Sequence, residues 1–348
     1  MSFSQDFNHG QLFSGPADNI LEINLGSELH SSYVEVDDFV EHTNLQNFTS
    51  STTLAKHLTQ SFTDETKKVR SIYTWIALNI VYDENAIFAS TKSNQSADYI
   101  WKTKVAVCEG YANLFNEMCH KAGIESRMVK GYVRSFSGEE MRFPNHAWNS
   151  VNIDGKWHLL DVTWASINFD VSEISNESLK DNITRHKLDY FFLMEPDRMI
   201  FTHLPEDPYW QLQSAYVGME NYLKGKNRIE SALQNQNIEN KDFEYLIAAY
   251  EGLDSLDRSI SYLERMERNE QNKVKEYGLG IAYYYKAQKI LKESGSTVSN
   301  EIKKAKQLAK TFYKKSLDQL GLLDKNDFGY EFSKDLASNV SFKIEVLQ

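Results

Sequence analysis

The sequence predicts an α+β core, built of helices and an antiparallel sheet, followed by an all-α C-terminal domain. Three observations predict it. Apolar residues recur at helical spacing over residues 69–80 and 108–121. Extended segments over residues 127–162 are joined by Asp154-Gly155, a two-residue hairpin signal. Beyond about residue 213 the apolar pattern turns helical throughout.

Residues 1–50 are rich in Ser, Asn and Asp, with short alternating runs at 20–25 and 33–36. That alternation suggests short strands or an arm laid over the main domain. The first clear helix carries Val69, Ile72, Tyr73, Ile76 and Ile80, with Thr63 or Asp64 as its cap. A second begins at Cys108 and runs to about Lys121, with Tyr111, Leu114, Phe115, Met118 and Ala122 on its apolar stripe and Gly123 as the stop. Strands are expected over 127–133, 147–153 and 156–162, with a Ser-Gly loop at 135–143. Helices are expected over 243–253, 255–268, 274–293 and 301–320. Two aromatic-small blocks within them start at Tyr245 and Tyr277, close to the ~34-residue period of helical-hairpin repeats. They suggest a tetratricopeptide-like module or an ordinary helical bundle. The expected organisation is thus an arm over 1–50, a core over 51–212 and a helical domain over 213–348.

Composition narrows the function. A chain of 348 residues with 41% hydrophobic and 13% aromatic residues folds and is long enough for two domains. The net charge of −11 argues against nucleic-acid binding, which needs clustered cations. The one basic cluster, Lys303, Lys304, Lys306, Lys310, Lys314 and Lys315, reads as the solvated face of a helix. Two cysteines make no disulfide framework, and no metal-ligand spacing or cofactor motif appears, so no metal and no cofactor are expected. No run reaches the ~18 apolar residues of a membrane span and the start lacks a signal peptide's apolar run. A chain without membrane insertion is expected, cytoplasmic or exported with its leader removed.

Candidate chemistry comes from the hairpin register. With Asp154-Gly155 as the turn, Ile153 faces Lys156, Trp148 faces Asp161 and His146 faces Thr163. His146 and Asp161 then share one face at a diagonal separation of ~7–8 Å, within reach of an imidazole and a carboxylate. Such a pair is also a common way to satisfy two polar residues on a sheet. Cys108 adds a nucleophile type at a helix N-terminus, where the macrodipole favours a thiolate. Taken alone, a cysteine there is as readily a buried structural residue.

The strings Val107-Cys108-Glu109-Gly110-Tyr111-Ala112, Ala122-Gly123-Ile124, Val129-Lys130-Gly131-Tyr132, Asn145-His146-Ala147-Trp148-Asn149, Asp154-Gly155-Lys156-Trp157 and Leu160-Asp161-Val162-Thr163-Trp164 resemble, in order, the transglutaminase-like superfamily. The segment from Phe191 to Pro196 and that from His203 to Leu212 are similar to the kyphoscoliosis-peptidase-like branch. The resemblance covers about residues 50–212. It implies a papain-like core, with the cysteine-bearing helix packed on the sheet, and a Cys108, His146, Asp161 triad for acyl transfer on protein or peptide amides, as a cysteine peptidase or a transamidase. Ala106 departs from the glycine common before Val-Cys in that family. No counterpart of the calcium-binding and flanking β-sandwich parts is found, so calcium dependence is not implied.

Among other residues, Cys119 lies ~16 Å along the helix from Cys108, too far for a disulfide. Trp148 and Trp164 are candidates for a substrate cleft, or core. The rival function is a catalytically idle protein-binding scaffold, with a protein partner on the C-terminal helices. A third, an exported binding protein of helical repeats, needs an export signal that the sequence does not carry.

Overall fold

A computed structural model of the chain describes residues 32–44, 47–88, 93–133, 143–166, 177–234, 241–266, 273–295 and 299–347. The alternating run at 20–25 and nearly all of the 135–143 loop lie outside these residues. Two compact units are distinguished among them, residues 32–205 with 210–234, and residues 206–209 with 241–347.

The first unit opens with helices α1 (Val34–Glu41), α2 (Ser51–Gln60) and α3 (Glu65–Asn79). The run at 33–36, whose alternation suggests a strand, is helical. Its β-branched residues lose to tertiary contact, because the helix buries Val36 and Val40 on one face and brings Asp37 to Arg70. Arg70 is fully buried in the middle of α3. Its Nε and Nη2 donate to the two Asp37 carboxylate oxygens at 2.8 and 2.7 Å, and Nη1 donates to Leu188 O at 3.0 Å. Nη2 also lies 2.8 Å from Asp189 Oδ1, and Thr74 donates a further 2.7 Å bond to Asp37. Helix α3 begins where the sequence indicates, with the Asp64 side chain accepting from Lys67 N at 2.8 Å.

Next come β1 (Val81–Tyr82), α4 (Glu84–Phe88), α5 (Ala97–Thr103), β2 (Val105–Ala106) and α6 (Cys108–Lys121). β1 and β2 pair in parallel, with Tyr82 opposite Ala106, which leads the chain into Cys108. α6 buries Tyr111, Leu114, Phe115, Met118 and Cys119, and Gly123 follows with φ +78°. The main sheet is antiparallel, in the order β5-β4-β3-β6, from β3 (Ser126–Val133), β4 (His146–Ile153), β5 (Lys156–Leu160) and β6 (His203–Pro205). Asp154 and Gly155 both take positive φ, 51° and 83°, the geometry of a two-residue hairpin turn, and Ile153 pairs with Lys156 as the turn requires. The strand expected over 156–162 stops at Leu160. Asp161 leaves the ladder and becomes the N-cap of α7 (Val162–Ala165), its Oδ1 accepting from Thr163 N and Trp164 N at 2.8 and 3.1 Å.

The unit continues with α8 (Glu177–Tyr190), α9 (Pro196–Met199), α10 (Met219–Leu223) and α11 (Lys226–Gln234). The last two belong here and not to the helical unit, which the sequence starts at residue 213. Tyr222 of α10 is fully buried, with its hydroxyl 2.5 Å from Thr202 O and 3.2 Å from Tyr132 O, and it packs with Leu204, Val217 and Ile229.

The second unit holds α12 (Phe243–Glu251), α13 (Ser255–Arg265), α14 (Val274–Glu293), α15 (Ser299–Leu320) and α16 (Tyr330–Val346). The two aromatic-small blocks fall on α12 and α14. Leu279, Ala282 and Tyr283 of α14 pack on Ile260 of α13, while Ala287 packs on Ala309 and Tyr313 of α15 and Val340 of α16. Most of the lysine cluster lies on exposed positions of α15. Among the described residues no helix is long and apolar enough to cross a membrane.

Candidate active site

Cys108 occupies the first position of α6 because the short β1–β2 ladder ends there and Val107 turns the chain into the helix. Val107 provides no side-chain cap, while its amide donates to Gln95 Oε1 at 3.0 Å, which pins the approach to the cysteine. The thiol is half-buried at the positive end of the helix dipole.

His146 opens β4, next to Asn145, whose side chain makes two 2.8 Å bonds to the backbone of Val133 at the end of β3. Its Nε2 lies 2.7 Å from Asp161 Oδ2. With Nε2 on Asp161, Nδ1 is the ring nitrogen left for the Cys108 thiol, on which the imidazole and the Ala147 backbone both act. Cys108, His146 and Asp161 thus stand in a row, with a hydrogen bond between His146 and Asp161.

Charge follows this geometry. Burial opposes the Cys108 thiolate, but the bond to His146, its charge and the Ala147 backbone together hold the thiol below its ordinary pKa. Burial likewise opposes the His146 imidazolium, and Asp161 with Cys108 overrides it, lifting His146 to about 10. Asp161 is fully buried, which disfavours its charge, yet His146 and then His203 hold it well below the usual carboxylate range. Within the row His146 and Asp161 form an ion pair across the neutral range, and the His146 charge favours the thiolate form of Cys108. Cys119, 0% exposed in mid-helix, is the opposite case, with burial pushing its thiol well up.

His203 completes the group, and the sequence reading gave it no role. Its Nε2 lies 3.0 Å from the same Asp161 Oδ2 that binds His146. The only local signal was its place in a family-like block; what brings it here is the pairing of a three-residue edge strand with β3. His146, Asp161 and His203 offer ligand-type atoms within 4.8 Å of one another. However, Asp161 accepts two backbone amides on Oδ1 and two imidazoles on Oδ2, which fills its four lone-pair sites with N–H donors.

Of the two tryptophans considered for a cleft, Trp148 is 1% exposed and offers no surface to a substrate. It lies beneath the histidines, its ring 6.0 Å from His146 and 5.0 Å from His203. Trp164 is half-buried beside the same rings, 5.7 Å from His146 and 4.5 Å from His203.

Gly131 allows β6 to approach. A Cβ there would stand 2.2 Å from Leu204 O and 2.5 Å from Trp148 Cη2. Gly131→Ala is expected to push β6 off the sheet and cost about 1–3 kcal/mol. All six tryptophans belong to the first unit, so a urea titration followed by tryptophan fluorescence reads this directly. An unchanged midpoint would mean that β6 retreats freely.

Residues 52–162 match the transglutaminase-like superfamily. The chain is 34% identical over 167 residues to kyphoscoliosis peptidase of Mus musculus, covering 46% of this chain and 24% of that protein. It is 25% identical over 188 residues to the Lim and transglutaminase domain protein ltd-1 of Caenorhabditis elegans, covering 52% of this chain and 26% of that protein. The chain thus spans about a quarter of the length of these curated relatives. A solved TGase structure shares 18% identity at a TM-score of 0.26, over 42% of this chain and 35% of that one.

Proposed function

We propose that the transglutaminase-like domain of this chain performs thiol acyl transfer on protein or peptide amides, with Cys108 as nucleophile, His146 as acid and base, and Asp161 as the group that orients His146. What supports the reading is a helix-terminal thiol under the influence of an imidazole that is hydrogen-bonded to a buried carboxylate. The Cys108 sulfur attacks the amide carbonyl and forms the thioester. The C–N bond breaks, and the proton on His146 Nδ1 leaves with the amine. Water or an amine then attacks the thioester, giving its proton to His146 as the sulfur departs. Water makes the chain a peptidase or amidase; an amine makes it a transamidase.

The two cysteines provide the test. Iodoacetamide at about pH 6 meets an ordinary thiol almost fully protonated, so Cys108 is expected to label at least about tenfold faster than Cys119, allowing for the weaker nucleophilicity of a low-pKa sulfur. His146→Ala should abolish the difference in charge state without unfolding the chain. Mass mapping after a brief pulse reads both sites. A Cys108 that labels no faster than a free thiol, and is indifferent to His146→Ala, would remove the reading's support.

A protein-binding scaffold is the second reading. Phe328 and Phe332, 61% and 54% exposed in the helical unit, favour it, since both lie against the Tyr277 ring, 5.3 and 6.3 Å away, as one exposed aromatic cluster. Under that reading Cys108→Ser would leave every function of the chain intact.

A further inference from the structure

The acyl-transfer scheme leaves one buried titratable group of the site without a task. We propose that His203 is the positioning residue of this site, a neutral imidazole whose Nε2–H holds Asp161 Oδ2 in place for His146. The proposal rests on the acyl-transfer reading and adds to it.

The tautomer follows from the partners. A carboxylate only accepts, so both imidazoles within 3.0 Å of Oδ2 donate to it, and the His203 proton is on Nε2. His203 Nδ1 lies 2.7 Å from Thr202 Oγ1, whose hydroxyl can donate to it; the other acceptor for that hydroxyl, Met199 O, is farther at 3.2 Å. With a proton on Nε2 and the Thr202 hydroxyl turned from Met199 O to donate to Nδ1, the ring is neutral. The titratable groups acting on it are Asp161, from the loop before α7, and His146 of β4, 5.5 Å away between ring centres. Trp148 and Trp164 close the remaining sides without charge. Burial and the His146 charge together outweigh Asp161 and hold His203 below its ordinary pKa.

Positioning matters because the His146–Asp161 ion pair is intermittent. Once His146 has given its proton to the leaving amine, a hydrogen bond from a neutral ring replaces the ion pair to the carboxylate. His203 stays bound throughout, so Oδ2 cannot swing away before His146 is needed as a base. Being neutral, His203 does this without adding a second cation to compete for Asp161. The ring is itself fixed by β6, whose register against β3 sets Gly131 opposite Pro205 and Val133 opposite His203.

The test compares the full-length wild type with His203→Phe, which fills the space without a donor, and His203→Gln, which returns an N–H. Cys108 labelling by iodoacetamide is followed from about pH 3 to pH 8. Without the His203 donor the carboxylate binds a proton more readily, so the acid limb moves to higher pH. His203→Phe is expected to lose about tenfold in labelling on that limb, while His203→Gln stays within about twofold of wild type. A folded His203→Phe with the wild-type profile, or a His203→Gln as defective as His203→Phe, would overturn the proposal. Histidine 15N spectra of the wild type at neutral pH give an independent reading: one bare and one protonated ring nitrogen on His203 supports it, and an imidazolium there overturns it. Should wild-type Cys108 behave as a free thiol, the acyl-transfer reading fails, whereas the spectra still decide the state of His203.

Discussion

Asp161→Asn is expected to slow acylation of Cys108 by an amide donor about 10⁴-fold while the chain stays folded, the size of loss seen when a buried triad carboxylate becomes an amide. The geometry makes the mismatch worse than in a simple pair. If the new amide keeps its oxygen toward Thr163 N and Trp164 N, its NH₂ faces two imidazole nitrogens that both donate at present. Each ring must then offer a lone pair, which puts the His146 proton on Nδ1 and removes the base facing the sulfur. Turned the other way, the NH₂ meets two backbone N–H groups. The first orientation reverses both rings, the second loses two hydrogen bonds, and both remove the charge that sustains the imidazolium. Mass gain on the Cys108 peptide gives the rate, and circular dichroism checks the fold. A loss under about tenfold would assign the orienting role to another group.

The largest effect on stability is expected at Arg70. Asp37→Ala strips a fully buried guanidinium of two bonds, leaving Leu188 O and the partly exposed Asp189, and should cost about 3–5 kcal/mol. Tyr33, Tyr73 and Phe192 surround the cation with rings 4.9, 5.7 and 5.1 Å away, none of which supplies a counter-charge. Replacing both partners, as Asp37→Leu with Arg70→Met, should cost clearly less than Asp37→Ala alone, since no charge is then left in the interior. The urea midpoint by tryptophan fluorescence measures each variant. A double variant as unstable as the single one would mean that packing and not charge holds α1 in place.

What could be read in the sequence was local. Asp154-Gly155 admits one compact turn, and that turn fixes the pairing of β4 with β5 as far as Leu160, while Asp161 meets His146 from the cap of α7 and not from a paired position on the sheet. The start of α6 at Cys108 and its end near Gly123 were legible from stripe and stop alone. What escaped depends on distant partners. Helix α1 is a helix because Arg70 waits for Asp37, although the local alternation favours a strand. The early end of β5 had a signal, an N-cap carboxylate ahead of Val162-Thr163-Trp164, which the extended pattern of the preceding residues masked. His203 had almost none. It enters the site through a three-residue strand joined to β3 across some seventy residues of chain, and α10 stays with the sheet because one tyrosine hydroxyl meets Thr202 O.

Arg70 and Asp161 also set the limits within which the first unit can be divided. Both lie between residues 52 and 162, and both draw partners from beyond those bounds: Asp37, Leu188 O and Asp189 for the cation, His203 for the anion. A fragment cut at those two positions would retain every residue of the Cys108, His146, Asp161 row, yet its interior would hold an arginine with no counter-charge and a carboxylate missing a donor. The smallest stretch of chain in which both charges are answered runs from α1 through β6, so the stretch that matches the superfamily is shorter than the stretch that completes its own interior.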